Sequence, residues 1–400
     1  MRVIIIGNGL GGTIAAKTLR EIGPDVEIDI FAEEKYHYYP RPNLIEFMAG
    51  NLPMEKIFAY SEEWYDQQKI EVQLQKPVKK IIPASQEIEL EGGKTEKYDA
   101  LLLAAGSIPF VPPFKGAEKR GVFTLRTLDD ALEILEYQKN HSRMVVIGGG
   151  LLGLEIARAL SSGGGSVEVV EFFEHLLPRQ LDTQGSLLLK SEIEKMGIKI
   201  HLGLATEEIL GQEEMKGLKF KGGQELGADM ALVAAGIRPE MELGKEAGLE
   251  VDRGLVVNDF LQSSEPKIFA AGDILQHGGR IYGIIPATFA QARLVASNIL
   301  GDRKRYEGTI PWNTLKVAGL YLTSIGLINA EEESQEEIRE ERREEGIYKK
   351  IILQDGIVVG ALWIGTKNGV DHISRIISEK KNVGKWKDSI LNDDFDFTRL

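Results

Sequence analysis

Two stretches of this 400-residue sequence carry glycines at the spacing that lets a backbone cradle a phosphate. Val3 to Leu19 reads V-I-I-I-G-N-G-L-G-G-T-I-A-A-K-T-L, and Met144 to Leu160 reads M-V-V-I-G-G-G-L-L-G-L-E-I-A-R-A-L. They align without gaps, Gly148 falling 141 residues after Gly7. In each G-x-G-x-x-G the first glycine (Gly7, Gly148) permits a tight turn. The second (Gly9, Gly150) lets the backbone approach a pyrophosphate, and the third (Gly12, Gly153) lets helix and strand pack closely. Leu152 lies between the last two glycines of the second copy and is a further candidate contact. The helix that follows offers free N–H groups and a partial positive charge to the phosphates.

One such motif alone serves equally well as a plain glycine-rich turn. Context strengthens both copies, because each follows an apolar run, opens a helical pattern and is followed by an acidic strand. Val26 to Phe31 leads to Glu33 and Glu34, and Ser166 to Val170 ends at Glu171. Glu33 lies 26 residues after Gly7 and Glu171 lies 23 after Gly148, against an expected spacing of about 20 for a carboxylate that accepts hydrogen bonds from ribose hydroxyls. Two copies predict two dinucleotides held by two domains.

The elements that must position these residues are legible in outline. Tyr98 to Gly106 and Ala228 to Gly236 each read as a buried strand ending in a small-residue turn, Ala105-Gly106 and Ala235-Gly236, where backbone could pass beside a cofactor. Ile268 to Asp273 is a shorter strand ending in Gly272-Asp273. Pro109, Pro112 and Pro113 mark a crossing between domains. The expected organisation is α/β: one Rossmann-like dinucleotide-binding domain over 1–108 and 241–308, a second over 109–240, and a C-terminal α+β cap over 309–400, opened by Pro311. Glu55 to Glu96 reads as an antiparallel insertion of short strands. Gly346 to Gly365 reads as two strands about Gln354-Asp355-Gly356, with helical spacing over Val370 to Ser378.

Composition removes several function classes. There is no cysteine, so disulfides, thiolate metal sites, cluster ligation and thiol nucleophiles are excluded. The net charge of −13 argues against a broad nucleic-acid or anionic-membrane surface. Nine Glu and three Arg between Glu331 and Glu345 read as a solvated strand or hairpin edge. No apolar run is long enough for a membrane helix, and the apolar N-terminus reads as a buried first strand, so a cytoplasmic protein is expected. His37, His141, His175, His201, His277 and His372 show no metal-ligand spacing, and no metal site is expected. No G-x-S-x-G elbow supports a hydrolase.

Taken together, these residues resemble the two-dinucleotide-binding flavoproteins related in fold to glutathione reductase. In overall pattern they are closest to NADH:rubredoxin reductases and the flavin domains of nitrite reductases, whose cap start is resembled by Leu315 to Leu320 and Ser324-Ile325-Gly326. The resemblance implies that the first motif binds FAD and the second NAD(P)H. Gly7, Gly9 and Gly12 would meet the FAD pyrophosphate, and Glu33 or its neighbour Glu34 the adenosine ribose. Ala105 and Gly106 would line the flavin site, with Gly272-Asp273 at the ribityl and phosphate region. Tyr39-Pro40-Arg41-Pro42 resembles the segment that packs along FAD, and Val78 the residue whose backbone meets adenine. Pro286 and Ala287 would open the helix aimed at the flavin pyrimidine edge, its positive end favouring negative charge there. Gly148, Gly150 and Gly153 would hold the second pyrophosphate and Glu171 the ribose 2′-OH. With no Arg or Lys between Glu171 and Arg179, NADH is preferred over NADPH.

Glu155 matches the family glutamate near nicotinamide and flavin. Its usual lysine partner is replaced by Glu46, so two carboxylates would crowd one site and one pKa would rise if they met. The thiol-using branches of the family are excluded by the absence of cysteine. The leading expectation is an FAD-dependent NADH oxidoreductase passing electrons to a small carrier protein such as rubredoxin, with Lys380, Lys381, Lys385 and Lys387 around Trp386 as one candidate docking patch. Reduction of oxygen to hydrogen peroxide and an NADH-responsive interaction protein of apoptosis-inducing-factor type stay open, as does a monomer or a homodimer.

Overall fold

The computed structural model describes residues 1–310, 312–317 and 320–400, with side chains at 1–310 and 320–400. Pro311, Ala318 and Gly319 lie outside the described residues, and at Leu315, Lys316 and Val317 only a strand is described. The chain divides into two compact units, one of residues 1–108 and 237–309, the other of 109–236 and 310–400.

The first unit is built on a parallel sheet in the order Ile268–Ala270, Ala100–Leu103, Arg2–Ile6, Glu27–Phe31, Ile70–Gln73. Its central strands are continuous apolar runs because both faces are covered, and Val3, Ile4, Ile5, Leu101, Leu102 and Leu103 are fully buried. Helix Leu10–Ile22 follows the first strand and packs against helix Ile285–Ile299. Strands Val78–Ile82, Glu87–Leu90 and Thr95–Lys97 form a separate antiparallel sheet.

The expected insertion over 55–96 is therefore antiparallel only in its second half. Glu62–Gln68 is a helix, started by Ser61, whose hydroxyl accepts from the Trp64 N–H, and Ile70–Gln73 joins the parallel sheet. The S-E-E signature before Trp64, with two acids in the first turn, is a helix-start signal that outweighed the short alternation.

The second unit repeats the plan: a parallel sheet Lys199–His201, Ser166–Val170, Arg143–Ile147, Met230–Val233, Val122–Phe123, with helix Leu151–Ser162 after its central strand. An antiparallel sheet of Thr206–Gly211, Met215–Phe220 and Glu225–Gly227 closes one end of the repeat.

Ile310–Leu400 belongs to this unit by contact and has its own core. Its antiparallel sheet runs Trp312–Val317, Leu320–Gly326, Ile357–Ile364, Ile347–Gln354, Gln335–Arg342. Ile351, Leu353, Val358 and Trp363 pack with Ile373, Ile376 and Ile377 of helix Val370–Glu379. The Glu-rich segment supplies the edge strand Gln335–Arg342, where like charge discourages further pairing.

Candidate functional site

The two glycine turns have the same geometry. At the first, the Gly7 N–H donates to Phe31 O (2.9 Å) and the Ala104 N–H to Ile6 O (2.8 Å). At the second, the Gly148 N–H donates to Val170 O (2.8 Å) and the Ala234 N–H to Ile147 O (2.8 Å). Gly7 and Gly148 have φ of +109° and +121°, and a Cβ on either would collide with the carbonyl of Ala104 or Ala234. A Cβ on Gly12 or Gly153 would collide with the carbonyl of Gly7 or Gly148, whereas Gly9 and Gly150 face open space. The outer glycines are thus demanded by packing, and the middle one keeps clear the place a pyrophosphate would need. No side chain caps helix Leu10–Ile22 or helix Leu151–Ser162, so their first N–H groups are available to an anion.

Around the first turn, Glu34 is engaged internally. Arg41 Nη2 lies 2.5 Å from Glu34 Oε1, and the Tyr39 hydroxyl donates to Glu34 Oε2. Burial works to lower the Arg41 pKa, but Glu34 and Tyr39 hold it above its ordinary value. Glu33 is exposed, which leaves it as the carboxylate available to a ribose. Lys76 and Gln75 donate backbone N–H groups to Ala32 O (2.8 Å) and Glu34 O (3.2 Å), bringing Val78, first residue of its strand, toward that turn. Pro42 opens helix Pro42–Met48, on which Glu46 accepts from Asn51 Nδ2 (2.9 Å).

The Ala105-Gly106 turn is tied down by the Glu240 N–H, which donates to Gly106 O (3.0 Å). Asp273 Oδ2 accepts from Ser107 Oγ (3.0 Å), and the Gly272 N–H donates to Gln291 Oε1 (2.9 Å). Pro286 and Ala287 lie in the first turn of helix Ile285–Ile299, which no side chain caps.

Three residues of this cluster escaped the sequence reading. Ser107 and Gln291 are buried positioning groups. Asn8 accepts from the Thr13 hydroxyl (3.1 Å) while its Nδ2 is buried without a partner among the described residues. Gln291 had no signal of its own, being one of several polar residues, with Thr288, Ser297 and Asn298, buried on its helix. Ser107 and Asn8 had none beyond adjacency to a motif.

In the second unit, Glu171 is buried. Its Oε2 accepts from the Gly149 N–H, inside the turn, and its Oε1 from the Phe173 N–H (2.8 Å). Phe172 and Phe173 beside it are 63% and 52% exposed, with no cation on that segment before Arg179. Leu152 is exposed on the first helical turn, and Ala235-Gly236, with Gly236 at φ +115°, follows its strand as the Ala105-Gly106 turn follows its own. Glu155 pairs with Arg158 one turn on (3.0 Å). Glu46 and Glu155 thus each have a partner on or beside their own helix.

The lysine patch is partly spent: Lys387 pairs with Glu336 (2.7 Å) and Lys381 with Glu379 (3.3 Å). Among the described residues no His, Asp and Glu group could hold a metal ion, and no helix is long and apolar enough to cross a membrane.

Residues 1–292 match the family model for pyridine nucleotide-disulphide oxidoreductase. The chain belongs to that family. Residues 311–381 match a second model, the rubredoxin NAD+ reductase C-terminal domain. Members of the pyridine nucleotide-disulphide oxidoreductase family are FAD-containing NAD(P)H oxidoreductases.

The chain is 35% identical to a nitrite reductase [NAD(P)H] of Bacillus subtilis, over 98% of this chain and 49% of that protein. It is 29% identical to an NADH-rubredoxin oxidoreductase of Clostridium acetobutylicum, over 98% of each. The solved structure of the NADH:rubredoxin oxidoreductase from Clostridium acetobutylicum superposes with a TM-score of 0.80 at 29% identity, covering 95% of this chain and 96% of that one. A ferredoxin reductase from Rhodopseudomonas palustris gives a TM-score of 0.89 at 25% identity, covering 100% and 99%. The chain spans about half the length of the first curated relatives it matches. Both Rossmann-like halves fit the family. Its name includes a disulphide, but a chain without cysteine cannot run that part of the family's chemistry on itself.

Proposed function

We propose that this chain is an FAD-dependent NADH oxidoreductase that delivers electrons to a small iron-containing carrier protein of rubredoxin type. The observation that carries this reading is the pairing of two open, uncapped dinucleotide turns of one geometry with the absence of any thiol. The match of 311–381 to a rubredoxin reductase C-terminal domain supports the carrier class.

The residues of the first unit fit FAD. Gly9 faces open space, the helix start at Leu10 is uncapped, and Asn8 Nδ2 is a buried donor in want of an acceptor. The pyrophosphate would lie over Gly7, Gly9 and Gly12, the ribose at Glu33, and the ribityl region at Asp273, which Ser107 orients. The start of helix Ile285–Ile299 at Pro286 and Ala287 would face the flavin ring and favour negative charge on it. Bound there, FAD would supply both two-electron exchange with a nicotinamide and one-electron exchange with a metal centre.

In the second unit, Gly148, Gly150 and Gly153 would hold the NADH pyrophosphate. Glu171 already fills one lone-pair position on each oxygen, and the others would accept ribose hydroxyls. A 2′-phosphate placed there would meet a carboxylate and no cation, so NADH is the substrate of choice. Boundaries of 1–108 with 241–308, 109–240 and 309–400 are proposed for the three parts. Lys380 and Lys385 are what the lysine patch still offers an acidic partner.

Stopped-flow reduction by NADH, followed by mixing with rubredoxin or with oxygen, tests the reading. Rapid reoxidation by rubredoxin is expected. Rapid reoxidation by oxygen alone would move the assignment to an oxidase, the activity named for a Methanocaldococcus jannaschii relative at 31% identity over 82% of this chain.

A further inference from the structure

Two consecutive lysines on strand Ile347–Gln354, Lys349 and Lys350, are each only 1% exposed. Neighbours on a strand point to opposite faces, so both faces of this sheet bury a cation. Lys349 is held by Asp393 Oδ1 (2.6 Å), Leu391 O (2.8 Å) and Glu340 (3.1 Å), all within the C-terminal part. Lys350 reaches out of it. Its Nζ lies 2.7 Å from Asp182 Oδ2, with Asn329 Oδ1 at 3.3 Å and Glu337 at 3.5 Å. The Tyr348 hydroxyl donates to the same Asp182 oxygen at 2.6 Å.

Asp182 in turn caps helix Thr183–Lys195, accepting from the Gly185 N–H at 2.9 Å. One turn on, buried Ser186 accepts the Leu176 N–H at 2.7 Å. Leu176 leans on Gly149, whose added Cβ would fall 2.7 Å from Leu176 Cδ2. The Leu177 N–H donates to Gly149 O at 3.3 Å. Leu177 is fully buried with φ of +51°, a conformation that persists only where its surroundings over-determine it. Gly149 is the residue whose N–H holds Glu171.

We infer that Asp182 is a positioning residue for the second nucleotide site, its buried pair with Lys350 clamping the 172–181 loop that sets Gly149 and Glu171. A buried ion pair is often no more stabilising than apolar groups of like volume, so stability alone does not account for this one. What it adds is a fixed direction: the clamp runs from the C-terminal sheet through one helix start to the turn itself. This rests on the reading that Gly148 to Glu171 binds NADH.

The test compares steady-state kcat and KM for NADH, with ferricyanide as acceptor, against the melting temperature of the holoenzyme. D182N/K350M keeps the helix cap and removes both charges. It is expected to melt near the parent while KM for NADH rises about five-fold and kcat changes little, the size of a typical coupling through packed groups. S186A, which leaves the ion pair intact and breaks the next link, is expected to raise KM as well, and decides the matter if the double variant does not fold. Parent KM in a well-folded double variant, or in S186A should that variant be the one that decides, overturns the inference. E171Q separates the two levels: an unchanged KM there overturns the reading of the site itself rather than the clamp.

Discussion

Gly9 and Gly12 sit three residues apart and would answer an added methyl group in opposite ways. A Cβ at Gly12 collides with the Gly7 carbonyl, while one at Gly9 meets nothing. G12A is therefore expected to lose about 1–3 kcal/mol of stability or more through overpacking, seen as a lower melting temperature or insoluble protein. G9A should fold normally and lose flavin, seen as a fall in the visible-to-ultraviolet absorbance ratio with unchanged circular dichroism. A similar separation applies at Ser107. S107A leaves Asp273 without its hydroxyl donor and should cost about 1 kcal/mol, with a larger relative effect on flavin retention than on secondary structure. These residue-scale roles were legible unevenly. Glycine spacing announced the turns because only glycine satisfies them. Ser107 and Gln291 were silent, because their partners, Asp273 and the Gly272 N–H, come together only through the fold.

At the scale of elements, strands were easier to read than helices of two turns. Buried parallel strands are unbroken apolar runs, and Ser166–Val170 begins and ends where its sequence pattern does. Glu62–Gln68 was read as strand because seven residues are too few to display a helical period. Nothing local in the sequence marks Lys349 and Lys350 as buried, since lysines are almost never fully buried unless paired. Their burial is made possible by Asp182 and Asp393, distant in sequence. That arrangement has a pH signature. Burial alone would raise the Asp182 pKa, but Lys350, the Tyr348 hydroxyl and the Gly185 N–H outweigh it and hold the carboxyl below its ordinary value. A depressed folded-state pKa contributes stability that is complete above the unfolded value and is lost as pH falls through the folded one. Melting temperature should therefore decline as the pH drops below about 4, and D182N/K350M should decline less steeply over the same window.

At the scale of the molecule, the chain passes three times between two units, each with one glycine turn of the same geometry. The two half-functions should consequently be separable. G150V, whose Cβ would meet nothing within 4 Å, is expected to slow NADH-driven flavin reduction at least ten-fold. It should leave flavin content intact, along with the rate at which dithionite-reduced enzyme is reoxidised by rubredoxin. Loss of flavin in that variant would show that the turns are not independent. The internal repeat made the two matching turns visible from glycines alone, whereas the grouping of the C-terminal part with 109–236 depended on contacts that no local pattern announces.

The two acidic residues differ in one respect that bears on how long each nucleotide stays. Glu171 is already satisfied by its own backbone, through the Gly149 and Phe173 N–H groups, while Glu33 stands exposed. On the proposed reading, a nucleotide at the second turn would find its carboxylate already held in place by backbone. That is the property of a revolving door: the nucleotide there should exchange with every turnover, while the flavin should survive gel filtration as a permanent lodger.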